Sequence, residues 1–123
     1  MIKEVLLMSY GEVARSHMRR DGANCSQSVT IAYAEKLGIT EEEAMMIAPE
    51  PRSIDGKCGA VLASEMILDK LGVDKKEEFD KAFLDSNKSL QCKPLLETKK
   101  ARNKSCHDMV EEAADILEKL MDN

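Results

Sequence analysis

Tryptophan is absent from this chain, and aromatic residues make up only 3% of it. A core without large rings must be filled by Leu, Ile, Val, Ala and the eight methionines, whose unbranched side chains adapt to irregular gaps. The β-branched and aromatic runs that favour strands are missing, whereas Ala, Leu, Met, Glu and Lys abound. The composition therefore predicts an all-α fold. Long apolar runs are missing too. The longest, Ile2 to Met8 and Ala44 to Ala48, fall far short of the roughly 18 residues that a membrane span requires, so no membrane is expected as a partner.

Other signals are absent in informative ways. The opening Met1-Ile2-Lys3-Glu4-Val5-Leu6-Leu7-Met8 carries an acid within a short apolar stretch. It fits a helix better than a secretory signal, which predicts a cytoplasmic location. A net charge of −5 argues against nucleic acid. No Cys-x-x-Cys occurs, so neither a thioredoxin motif nor a zinc ribbon is indicated. There is no serine–histidine–acid set, phosphate loop or supported pair of catalytic carboxylates, which sets hydrolases and kinases aside.

What is present is a chain of 123 residues, read as one helical domain over 1–123 and long enough to bury one core without staples. Helical periodicity predicts a compact bundle of about five to seven helices. Residues 2–20 form the first, with Leu6, Tyr10, Val13 and His17 along one stripe and Gly11 marking a close packing contact. Gly22 suits a left-handed cap that ends it. Asn24 with Gln27 reads as a capping box that makes Cys25 the first residue of the next helix. Cys25 shares a face with Val29, Ala32 and Tyr33, toward packed neighbours. Leu37-Gly38-Ile39 ends that helix and Thr40 caps a short third one through Glu43. Pro49-Glu50-Pro51 breaks it.

The stretch Cys58 to Leu71 is apolar over most of its circumference and is expected to be the central helix, with Cys58, Glu65 and Asp69 on its one polar strip. That strip puts Cys58 beside carboxylates or water; without a functional role it is simply a solvent face. Lys70-Leu71-Gly72-Val73-Asp74 then repeats Lys36-Leu37-Gly38-Ile39-Thr40, and the two read as ordinary helical hairpins. Cys25 and Cys58, 33 residues apart, thereby occupy equivalent ends of comparable helices. Side-by-side parallel packing would bring their thiols together. Residues 75–87 make an amphipathic helix through Phe79, Ala82 and Phe83. Pro94 suits the first turn of a short helix just after Cys92. Ser105 caps the last helix, which Cys106 opens, with Met109, Val110, Ala113, Ile116, Leu117 and Leu120 on a core stripe. Lys88, Lys93, Lys99, Lys100, Arg102 and Lys104 face Glu97 alone, and an acidic last helix follows. Solvated faces with internal pairing explain this, or else a basic patch for an anionic partner.

Four cysteines, Cys25, Cys58, Cys92 and Cys106, thus fall at or near helix starts, where unpaired amides and the helix dipole stabilise thiolate. Thiols kept reduced in a cytosol serve metal binding or redox chemistry rather than structural disulfides.

Asn24-Cys25-Ser26-Gln27-Ser28-Val29, then Gly56-Lys57-Cys58-Gly59-Ala60-Val61, then Cys92 and Cys106, in that order, resemble the redox-active family named for its C_GCAxxG_C_C cysteine pattern, over roughly residues 20–117. The resemblance implies a small all-helical protein with a presumed redox role, and its cysteines carry over onto Cys25, Cys58, Cys92 and Cys106. Two features depart from the pattern. Many members have a glycine-rich loop before the second cysteine, where this chain has Pro49-Glu50-Pro51-Arg52-Ser53-Ile54-Asp55. The glycine expected shortly after that cysteine is here Ala63.

Three functions follow. Thiol–disulfide chemistry ranks first: Cys25 with Cys58, or Cys92 with Cys106, would cycle as an oxidoreductase or electron-transfer centre. Second, all four thiolates would bind zinc or an iron–sulfur cluster, with His17 and His107 as lesser candidates for extra ligands. Third, the cysteines would be core residues of a non-catalytic binding module. A redox partner or a small molecule is implied without being identified, and a homodimer stays open.

Overall fold

The computed structural model describes residues 9–20, 23–87, 89–91 and 106–122. Among these residues the chain forms seven helices: α1 (Tyr10–Arg20), α2 (Cys25–Ala32), α3 (Ala34–Leu37), α4 (Glu41–Ile47), α5 (Gly59–Leu71), α6 (Lys76–Asn87) and α7 (Cys106–Asp122). One isolated antiparallel bridge, Lys57 to Gln91, is the β-like pairing among them. The expected helical stretch over residues 2–8, the Gly22 cap, the basic stretch 88–104 with Cys92 and Pro94, and the Ser105 cap lie outside the described residues.

Helix α2 packs against α1, α4, α5 and α7. Its residues Ser26, Ser28, Val29, Thr30 and Ile31 are all buried. Helix α5 is buried over most of its length, from Gly59 through Ser64 and again at Ile67 and Leu68, as its apolar circumference predicts. These two helices, with Phe79 and Phe83 from α6 and Met109, Val110, Ala113, Ala114 and Leu117 from α7, make the main core. The core is aliphatic as expected, but Tyr33, Phe79 and Phe83 are its largest fully buried side chains, and among the described methionines only Met109 is buried in it.

The predicted second helix is divided at Tyr33 into α2 and α3. Inside α2 the Ser28 and Thr30 hydroxyls donate back to the Asn24 and Ser26 carbonyls, at 2.8 and 2.9 Å. Such back-bonding bends a helix. Tyr33, at the break, is fully buried. Its hydroxyl donates to the Ala114 carbonyl at 2.7 Å, and its ring stacks on Tyr10 at 4.3 Å. The tertiary fit of one tyrosine thus outweighs an unbroken hydrogen-bond ladder.

The helix expected over residues 2–20 is not continuous: Ser9 is non-helical, its hydroxyl accepts from the Glu12 amide and its amide donates to the Glu12 carboxylate, both at 3.1 Å, so α1 starts at Tyr10. Other helix ends follow the sequence signals. Asn24 accepts from the Gln27 amide at 2.8 Å while the Gln27 side chain accepts from the Asn24 amide at 3.0 Å, and Thr40 with Glu43 repeats the arrangement at 3.1 and 2.9 Å. Gly38 and Gly72 take φ values of 72° and 70°. The following amides, Ile39 and Val73, reach back to Ala34 and Leu68 carbonyls at 3.0 and 2.9 Å, the paired bonds of a Schellman stop. The two repeats therefore end alike but restart differently. Helix α6 begins at Lys76, so Asp74 is one residue too early to cap it, and the Lys75 carbonyl accepts from the Phe79 amide at 3.0 Å.

Gly11 marks the close contact its position implied. A Cβ there would lie 2.5 Å from the Asp115 side chain and from the Glu111 carbonyl. The space is used: Gly11 and Tyr10 amides donate to Asp115 and Glu118 carboxylates at 2.9 and 3.0 Å, so acids of α7 satisfy the first turn of α1. Arg15 adds ion pairs to Asp108 and Glu111 at 2.7 and 3.0 Å.

Candidate functional site

Two of the four cysteines meet where the first turns of α2 and α5 converge. Cys25 is the first residue of α2, fixed by the Asn24 cap. Cys58 is the residue that precedes α5 and serves as its N-cap, one position earlier than a helix over 58–71 would have it, with φ −57° and ψ 139°. Its amide donates to the Leu90 carbonyl at 2.7 Å, beside the Lys57–Gln91 bridge. The cysteine at this junction is thereby held by α5 on one side and by the 89–91 segment on the other.

The polar-strip reading of Cys58 is corrected by this geometry. Cys58 is buried, 6% exposed, and its neighbour is a thiol rather than a carboxylate. Glu65 pairs instead with Lys57 at 3.2 Å, and Asp69 pairs with Lys76 at 3.0 Å. The strip is real from Glu65 onward, but the chain turns inward at the N-cap, so a helical wheel extended back to Cys58 points the wrong way.

The two thiols share a hydrogen bond, and it polarises them in opposite directions. The Cys25 thiol is lowered to about 6, first by the hydrogen bond from Cys58, against the opposing effect of burial, and further by the backbone groups of Ser26, Gly59 and Ala60. Gly59 and Ala60 begin α5, where amides have no partner inside the helix, so their N–H groups are free to serve sulfur. The Cys58 thiol is pushed up, first because it donates to Cys25, then by burial and by the negative charge on Cys25. One proton therefore stays on Cys58 while Cys25 carries the charge. Cys25 is also the more accessible partner, half-buried where Cys58 is buried.

The loop that crosses this site, residues 48–57, is held by turn hydrogen bonds. The Arg52 amide donates to the Lys57 carbonyl at 3.0 Å and the Ser53 amide to Glu50 at 3.1 Å. Arg52 and Asp55 sit at φ 68° and 53°, left-handed values that cost a side-chain-bearing residue roughly 1–2 kcal/mol each. The loop thus holds left-handed backbone at two non-glycine residues as well as at Gly56, φ 70°.

Cys106 opens α7 as expected but is half-exposed, so it stands at the edge of the core stripe. Cys92 lies outside the described residues. Among the described residues no group of three or more His, Cys, Asp or Glu side chains converges to hold an ion. His17, His107 and Cys106 therefore do not join the Cys25–Cys58 pair in a donor cluster there. No described helix is long and apolar enough to cross a membrane.

Sequence reasoning missed three parts of the surroundings: the burial of Cys58, the service of the α5 amides to Cys25, and the carboxyl group of Asp80 beside Glu65. Gly59 carried a signal for the second. Glycine just inside a helix costs stability, so its presence directly after a cysteine marks a close approach.

An all-helical domain with a paired, oppositely polarised dithiol is the class that fold and site define. The family model described as "Putative redox-active protein (C_GCAxxG_C_C)" matches residues 23–120. The chain belongs to that family. No curated protein and no solved structure matches it.

Proposed function

We propose that the protein is a thiol–disulfide redox protein whose working pair is Cys25 and Cys58, cycling between dithiol and disulfide in the reducing cytoplasm. The observation that carries this reading is the convergence of two helix starts, which sets half-buried Cys25 against Gly59, the residue next to buried Cys58; the lowered Cys25 thiol and the raised Cys58 thiol agree with it. A low-pKa thiolate beside a second thiol is the arrangement that dithiol exchange requires. Membership of a redox-active family agrees with it. In this reading Cys92 and Cys106 are a further pair or auxiliary thiols. The zinc or iron–sulfur reading draws less support, because the described cysteines offer a pair rather than a cluster.

The test is thiol counting and metal analysis on protein purified without oxygen, followed by mild oxidation with a small disulfide and re-reduction. The expected result is no stoichiometric metal, reversible loss of two thiols, and a Cys25–Cys58 cross-linked peptide in the mass spectrum. Stoichiometric zinc or iron with all thiols blocked, or four thiols that stay unreactive until unfolding, overturns the proposal.

A further inference from the structure

We infer that Gly59 is a positioning residue for the Cys25 thiol, and that its lack of a side chain makes Cys25 the sulfur that attacks a disulfide substrate. The inference rests on the dithiol reading and adds to it the direction of attack and the residue that sets it.

The geometry is specific. A Cβ on Gly59 would stand 2.5 Å from Cys25 Sγ, and 3.0 and 3.2 Å from Cγ and Cβ of Pro51. Sulfur cannot be approached that closely by carbon, so any side chain at position 59 must displace the thiol. A cysteine has one side-chain torsion and can swing to another staggered rotamer. The fold can therefore accept the substitution while Sγ leaves the Gly59 and Ala60 amides. Pro51 needs to yield only a few tenths of an ångström. Gly59 is fully helical and has no left-handed φ to explain it. The space it leaves is filled by Cys25 Sγ and walled by Pro51.

The same placement orders the reaction. Cys25, half-buried and served by amides, attacks one sulfur of a substrate disulfide. A bond forms between Cys25 Sγ and that sulfur, the substrate S–S bond breaks, and the other substrate sulfur departs as thiolate and takes a proton from water. Cys58, buried behind Cys25, then attacks Cys25 Sγ. The Cys25–Cys58 bond forms, the mixed disulfide breaks, and the proton that Cys58 carried goes to the second departing thiolate. The protein dithiol loses two electrons and the substrate disulfide becomes two thiols.

The experiment measures the rate of iodoacetamide alkylation against pH for reduced wild type and Gly59→Ala, each with Cys92 and Cys106 replaced by Ser and with helicity checked by circular dichroism. Wild type is expected to alkylate first at Cys25, with a midpoint near pH 6. Gly59→Ala is expected to move that midpoint up toward the ordinary thiol value near 8.5, because the thiolate has lost the Gly59 and Ala60 donors but not its access. The double variant Pro51→Ala/Gly59→Ala removes Pro51 Cγ, the nearer proline contact, and keeps the sulfur one, so it should behave like Gly59→Ala. If either folded variant keeps the wild-type profile, or the double variant recovers it, Gly59 acts only through packing and the inference fails. Alkylation first at Cys58 overturns the order of attack. These failures are separate from that of the dithiol reading, which falls only if wild type forms no Cys25–Cys58 disulfide.

Discussion

A single sulfur–sulfur hydrogen bond separates two chemically identical side chains into an acid and a base. The hydrogen bond from Cys58 is the largest influence that lowers Cys25, ahead of the backbone amides. Replacing Cys58 by Ala should therefore raise the Cys25 midpoint from about 6 toward the ordinary thiol value near 8.5, even though Cys25 itself is untouched and becomes more open. An alkylation pH profile of the reduced Cys58→Ala variant reads this directly. A midpoint that stays near 6 would show that amides alone stabilise the thiolate. The same residue scale explains why Tyr33 interrupts a helix: its buried hydroxyl donates to the Ala114 carbonyl, and a buried phenol without a partner is costly.

Helix ends decide where the chemistry sits. The Asn24–Gln27 capping box fixes the first turn of α2, and with it the residue that must be Cys25. Asn24→Ala should destabilise the protein by about 1 kcal/mol, seen as a lower urea midpoint with an unchanged slope. Both capping boxes, both Schellman stops and the stripes of α5 and α7 were legible in the sequence because they are local rules. The site was legible in half. Helix-start cysteines in equivalent positions foretold that Cys25 and Cys58 could meet. Which of the two lies inward was not legible, because Cys58 occupies a cap whose direction depends on the Leu90 contact, 32 residues along the chain. The division at Tyr33 was hidden for the same reason: its cause lies on α7.

Across the molecule, two titrations oppose each other. Asp80 is raised to about 7, first by burial and then by facing Glu65, with Lys57 and Lys76 acting against the rise. Its Oδ1 has no hydrogen-bond partner among the described residues. A carboxyl whose folded-state pKa is raised contributes stability that is complete below its ordinary value of 3.8 and is lost as pH rises through about 7. Cys25, lowered, contributes in the other sense: its stability is present above the ordinary thiol value and lost as pH falls through about 6. In a Cys25→Ser background, unfolding midpoints should fall from about pH 4 to 7 and level off above it, and Asp80→Asn should flatten that slope. An unchanged slope would mean that Asp80 and Glu65 do not share a proton across α5 and α6.

The tyrosine of α1 stacked on the one at the α2–α3 break has a consequence for observation. Tyr10 and Tyr33 are the only tyrosines in a chain without tryptophan, and their rings lie 4.3 Å apart and 21° from parallel. Near-ultraviolet absorption and emission above the phenylalanine band therefore come from one pair of rings at one joint. That joint adjoins the helix on which Cys25 begins. The molecule carries an intrinsic optical gauge of α1–α2 docking, with no background from elsewhere in the chain.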